Sequence, residues 1–155
     1  MKDLLIFPVL LFLSLSCFSQ KGKGTYDWGI GVKYGPAAIS VKKYTARGDA
    51  MELLFSKYDE GSRATLLLEL CPNIDPKKTI RYVFGPGFHL GYREKKYVAR
   101  NDDNPVVGVD FIFGVEWKIP KIPFSIQLDY QPSFDIVGYN QGYTDWGGVT
   151  IRYTW

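Results

Sequence analysis

Apolar and polar side chains alternate with period 2 along much of this chain, the pattern of strands that present one apolar and one polar face. The clearest stretch is 124–134, where Phe124, Ile126, Leu128, Tyr130, Pro132 and Phe134 share one face and Ser125, Gln127, Asp129, Gln131 and Ser133 the other. The end of the chain repeats it, with Val149, Ile151, Tyr153 and Trp155 set against Thr150, Arg152 and Thr154. In 107–119, Val107, Val109, Phe111, Phe113, Val115, Trp117 and Ile119 oppose Gly108, Asp110, Ile112, Gly114, Glu116 and Lys118. In 80–93, Ile80, Tyr82, Phe84, Phe88, Leu90 and Tyr92 oppose Arg81, Val83, Gly85, Gly87, His89, Gly91 and Arg93. Weaker strands fit 26–34, 39–44, 50–58 and 64–70. No segment beyond residue 24 keeps apolar residues at helical spacing over three turns, so the expectation is an all-β chain. Eight strands suit a closed antiparallel up-and-down barrel, since single-chain bacterial transmembrane barrels use an even number.

The connections sort into two sets. Gly35–Ala37, 59–62, 94–104 and 135–145 fall at one end, and 45–49, 72–78 and 120–123 at the other, together with both termini. The two longest loops therefore share an end, as in transmembrane barrels whose longer loops face outward.

Volume decides which face turns inward. An eight-stranded barrel has a lumen only wide enough for side chains to fill. The apolar faces carry Phe, Tyr, Trp, Ile and Leu, in a chain with 16% aromatic residues, whereas the opposing faces hold many Gly, Ser, Thr and charged residues. The narrow lumen suits the second set, which leaves the bulky set outside, where hydrocarbon solvates it and water would not. Tyr26, Trp28, Tyr34, Tyr92, Trp117, Tyr130, Tyr153 and Trp155 are then expected outside as aromatic girdles. The same parity sends Lys33, Arg81, Arg93, Lys118 and Arg152 into the lumen against Glu52, Glu69, Asp110, Glu116 and Asp129. Buried charges persist only when paired, so this balance predicts a salt-bridged interior closed to solutes.

Residues 1–19 read as a signal peptide, with a short charged start, the apolar run Leu4–Ser16 and small residues before a cut after Ser19, which leaves 20–155 as one barrel domain. The apolar run is too short for a spanning helix. Cys17 raises a lipoprotein alternative, although Ser14 stands where a lipobox carries a branched aliphatic. Cys71 is the remaining cysteine and reads as a small residue at a strand end, with no partner for a disulfide. A net charge of +3 spread along the chain lacks the basic patch of a nucleic-acid binder. One His with one mature Cys makes no typical zinc site, the acids lack calcium-loop spacing, and no cofactor is expected. Asn101–Asn104 reads as a solvated loop tip, and the glycines of 85–87 and 147–148 open no helix that could cradle a phosphate.

With its signal peptide, eight alternating segments and a last strand ending Tyr153–Thr154–Trp155, the chain resembles the small OmpA/OmpX-type barrels of Gram-negative outer membranes. Residues 108–117 followed by 122–134 look like the final hairpin of such proteins. The resemblance implies that Val149, Ile151, Tyr153 and Trp155 form the signal read by the barrel-assembly machinery, that outer-membrane lipids surround the barrel, and that it is a monomer. It implies a non-enzymatic role in envelope structure or surface contacts through loops 94–104 and 135–145. Two alternatives stand beside it. A lipid A-modifying barrel would use the single histidine, His89, with a serine such as Ser40 or Ser56, although a lumen imidazole bonded to an acid is the simpler expectation. A secreted lipocalin-like barrel would hold an apolar ligand inside.

Overall fold

The computed structural model describes residues 26–58, 61–93, 105–137, 142–143 and 146–155. The expected signal peptide, loop 94–104 and most of 135–145 lie outside the described residues. The strands are β1 (Trp28–Tyr34), β2 (Ala38–Tyr44), β3 (Ala50–Tyr58), β4 (Gly61–Glu69) and β5 (Ile80–Arg93). They are followed by β6 (Pro105–Lys118), β7 (Phe124–Tyr130), β8 (Ser133–Val137), β9 (Gly142–Tyr143) and β10 (Gly148–Thr154).

Each strand pairs antiparallel with its sequence neighbour from β1 to β6. Both β7 and β8 then pair with β6, and they are two segments of one barrel strand separated by Gln131 and Pro132. Pro132 has no N–H for the ladder, which explains the break, yet its carbonyl still accepts from Phe111 N at 2.9 Å. β10 pairs with β7 and β9 with β8, completing the last strand in the same divided way. The ring closes where β1 meets β10, with Gly31 opposite Arg152, and the described strands form a closed eight-stranded antiparallel barrel.

The strands sit close to their expected places, with two shifts that bear on the lumen. The 135–145 loop starts later than the alternation suggests, because β8 carries Asp135 within the sheet. β4 begins at Gly61, three residues before its clear apolar pattern, and so includes Arg63. Short turns link strands at the end that holds Trp155. In one of them Gly48 adopts φ 95°, a left-handed conformation open to glycine, while Thr45 N donates to Asp49 O at 2.8 Å.

The polarity of the barrel is inverted relative to a water-soluble one. Along β7, Leu128 is 63% exposed while Gln127 is 0% and Asp129 7%. β5 and β6 behave alike, with Phe88, Leu90, Phe111 and Phe113 outside and Arg81, His89, Asp110 and Glu116 inside. The apolar core proper is small. Leu54, Leu67, Val83 and Ile112 are buried inward-facing aliphatics, and polar groups occupy most of the rest of the lumen.

Candidate functional site: two charged layers in the lumen

Six cations and six carboxylates are buried among the described residues: Lys33, Lys42, Arg63, Arg81, Arg93 and Arg152 with Glu52, Glu69, Asp110, Glu116, Asp129 and Asp135. They form two layers, each with three charges of either sign.

The layer nearer the termini is built on glutamates. Glu116, inward on β6, accepts from the hydroxyls of Tyr26 and Tyr44 and from Lys42 Nζ at 3.3 Å. Lys42 also meets Glu69 Oε2 at 2.5 Å and donates to Gln127 Oε1 at 2.9 Å. Arg152 spreads its fork over three partners: Nη2 pairs with Glu52, Nε donates to Ser40 Oγ at 2.7 Å, and Nη1 donates to Gln127 Oε1 at 3.0 Å. Ser40 in turn donates to Glu52 at 2.7 Å. The Arg81 guanidinium lies 4.5 Å from the centre of the Tyr44 ring, a cation–π contact in a desolvated setting. Tyr26 and Tyr44 meet edge to face at 4.9 Å and close this end.

Toward the loops the acids are aspartates. Lys33 Nζ lies 2.5 Å from Asp129 Oδ1 and donates to Gln131 Oε1 at 2.9 Å. Arg63 pairs with Asp110 through Nη2 and donates to Thr65 Oγ1 at 3.1 Å and Ser133 Oγ at 3.2 Å. Asp110 also accepts from Gln131 Nε2 at 3.0 Å. At the centre His89 places Nδ1 2.7 Å from Asp110 Oδ2 and Nε2 3.0 Å from Asp135 Oδ1. Arg93 approaches Asp135 at 4.0 Å. Gly108 makes room for the imidazole, because a Cβ there would fall 2.4 Å from His89 Cε1 and 2.2 Å from the Phe134 carbonyl. The Trp146 ring covers Arg63 at 4.0 Å.

Strand parity points Lys33, Glu52, Glu69, Arg81, Arg93, Asp110, Glu116, Asp129 and Arg152 inward, and all are buried there. Lys118 departs from it. It is the last residue of β6, and its Nζ turns to the carbonyls of Ile119 at 3.1 Å and Ile122 at 2.6 Å, because a long side chain at a strand end reaches the turn more easily than the lumen. Tyr26 is a second correction. It lies inside with its hydroxyl on Glu116, not in an outer girdle, since a buried carboxylate offers the phenol a stronger bond than an interface does. Lys42, Arg63 and Asp135 complete the lumen charges. The signal for Lys42 was present in the alternation of Ile39, Val41 and Lys43, which leaves Lys42 on the inner face with Ser40.

Neither serine considered beside His89 serves it. Ser40 is engaged with Glu52 and Arg152, and Ser56 donates to the Arg63 carbonyl at 3.2 Å. Both ring nitrogens of His89 face carboxylates, the arrangement of an imidazole held within a polar network. Cys71 is a buried free thiol. Among the described residues no group of three or more His, Cys, Asp and Glu side chains is placed to hold a metal ion. A cavity of about 10 Å³ beside Lys33, Ser56, Thr65 and Gln131 is the size of a single water.

On the outside, Val149 and Ile151 are exposed, and Tyr153 and Trp155 are half-buried against each other and Phe124. Trp28 lies near them in the sheet, with Lys43 Nζ 4.8 Å over its ring. Compared with known proteins, the chain matches no family model, no curated protein and no solved structure.

Proposed function

We propose that the chain is an OmpA/OmpX-type integral barrel of a bacterial outer membrane, exported by its signal peptide, non-enzymatic, and closed by its own side chains. One observation carries this reading: the sheet buries its ionic residues and exposes its aromatic and branched ones. Each exposed apolar side chain costs about 25 cal/mol per Å² in water, a cost that acyl chains remove. A strand needs roughly nine to eleven residues to cross a bilayer at the usual tilt, a length that β5 and β6 exceed with 14 each.

The lumen favours a structural role over transport or ligand storage. Interlocked ion pairs span it in two layers, and the cavity beside Lys33, lined by described residues, is only the size of a single water. A barrel of this kind braces the envelope or carries loops to a partner at the cell surface. Cell fractionation with gel mobility of boiled and unboiled samples tests the reading. The expected result is a membrane-bound protein whose unboiled form migrates ahead of the boiled one. Recovery in the aqueous fraction with no mobility shift would refute it.

A further inference from the structure

The outer face of β4 loses bulk toward the loops. Leu70, Leu68 and Leu66 are followed on the same face by Ala64 and Ser62. The neighbouring strands keep theirs: Phe55 and Leu90 stand directly opposite Ala64, and Lys57 and Tyr92 directly opposite Ser62. The result is a groove of about 520 Å³ on the outside of the barrel, floored by Ala64 and walled by Phe55, Leu90 and Tyr92. Surrounded by loosely packed acyl chains, such a notch forfeits dispersion contacts unless something of matching shape fills it.

Charge singles out the occupant. On the outward faces of the described strands only two residues are charged, Lys43 and Lys57. Lys43 lies toward the end that holds the termini and covers the Trp28 ring. Lys57 lies at the loop end, on the rim of the groove and beside the hydroxyls of Ser62 and Tyr92. Apolar walls below one ammonium and two hydroxyls fit an amphiphile with an acyl tail and an anionic, oxygen-rich head.

We infer that the groove binds a phosphorylated lipid A of the outer leaflet, one acyl chain lying over Ala64 and a phosphate meeting Lys57 and the adjacent hydroxyls. The inference rests on the membrane reading above, since it needs the loop end to face that leaflet. Phosphatidylglycerol and a second copy of this chain are the competing occupants.

The test uses the full mature protein in detergent, probed by native mass spectrometry with lipid A, dephosphorylated lipid A and phosphatidylglycerol in turn. Lys57→Gln removes the cation, and Ala64→Phe fills the notch. The expected result is one lipid A retained by the unaltered protein. Retention should weaken roughly fivefold for dephosphorylated lipid A and for Lys57→Gln, and more for Ala64→Phe. Equal retention of lipid A and its dephosphorylated form, no effect of either variant, equal retention of phosphatidylglycerol, or a dimer that Ala64→Phe dissociates would each overturn it. Heat-dependent mobility measured on the same samples separates two failures. A heat-modifiable barrel without lipid selectivity removes only the groove, whereas a protein without heat modifiability removes the membrane reading as well.

Discussion

The two charged layers of the lumen solve the same problem with different materials. Near the termini, long glutamates reach across the barrel to Lys42 and Arg152, and tyrosine hydroxyls supply the remaining bonds to Glu116. Toward the loops, shorter aspartates need an imidazole between them, and Arg63 is held by Asp110, two hydroxyls and the face of Trp146. The first layer is sealed under two tyrosine rings; in the second, the Trp146 ring covers Arg63. The contrast separates cohesion from adjustability. A buried pair gains only when every partner is satisfied, and the glutamate layer distributes its bonds over more elements, so losing one member strands more charges there.

Glu116→Leu attacks that contrast most strongly. It leaves Lys42 with one carboxylate fewer and takes the carboxylate acceptor from two buried phenols, and should cost about 3–5 kcal/mol of barrel stability. Urea titration of the folded band in detergent micelles measures it. In the aspartate layer, Asp110→Asn keeps an acceptor for Arg63 and should cost about 1–3 kcal/mol on the same assay. Equal losses for the two would erase the distinction between the layers.

Gly108→Ala tests whether His89 is fixed by sterics. The added methyl overlaps the imidazole and the Phe134 carbonyl, so a loss of about 1–3 kcal/mol is expected, together with a displaced His89 resonance in NMR spectra. An unchanged resonance would mean that the aspartate layer can shift as a unit. Trp146→Ala removes the ring over Arg63 and should cost about 0.5–2 kcal/mol, as measured by urea titration. A smaller loss would show that water replaces the indole there.

The smallest effect belongs outside both layers, in the turn after β4. Asp75 accepts from Ile80 N at 2.7 Å and from Thr79 Oγ1 at 2.8 Å, and the bond from the Ile80 N–H above all holds its carboxyl below the usual carboxylate range. A depressed folded-state value means that its stabilisation is present above the unfolded pKa and fades as pH falls through the folded one. Asp75→Asn should therefore lower stability slightly at neutral pH and change little once pH has fallen below the folded-state value, flattening the acid dependence in between. A pH series of urea midpoints checks the sign, and a loss confined to the acidic end would contradict it.

How far each feature could be read in advance follows from how local its cause is. The inner and outer faces of β5, β6, β7 and β10 are written in period 2, because each side chain's face depends only on its parity within the strand. That local rule found Arg81, Asp110, Glu116, Asp129 and Arg152. It missed Asp135, because the alternation fades after Phe134, and Arg63, because β4 opens on the uninformative run Gly61–Ser62. It also misplaced Tyr26, which precedes β1 and has no strand parity to obey.

By itself, then, the order of residues determined the all-β class, the alternation of faces and the surplus of charge on the inner one, all consequences of chemistry within a few neighbouring positions. Only the tertiary structure decided who pairs with whom. Glu116 and Lys42 are 74 positions apart, and Arg152 and Glu52 100, so their meeting depends on how the strands are staggered around the closed ring. Stagger is set jointly by every ladder in the barrel, and no single segment contains it.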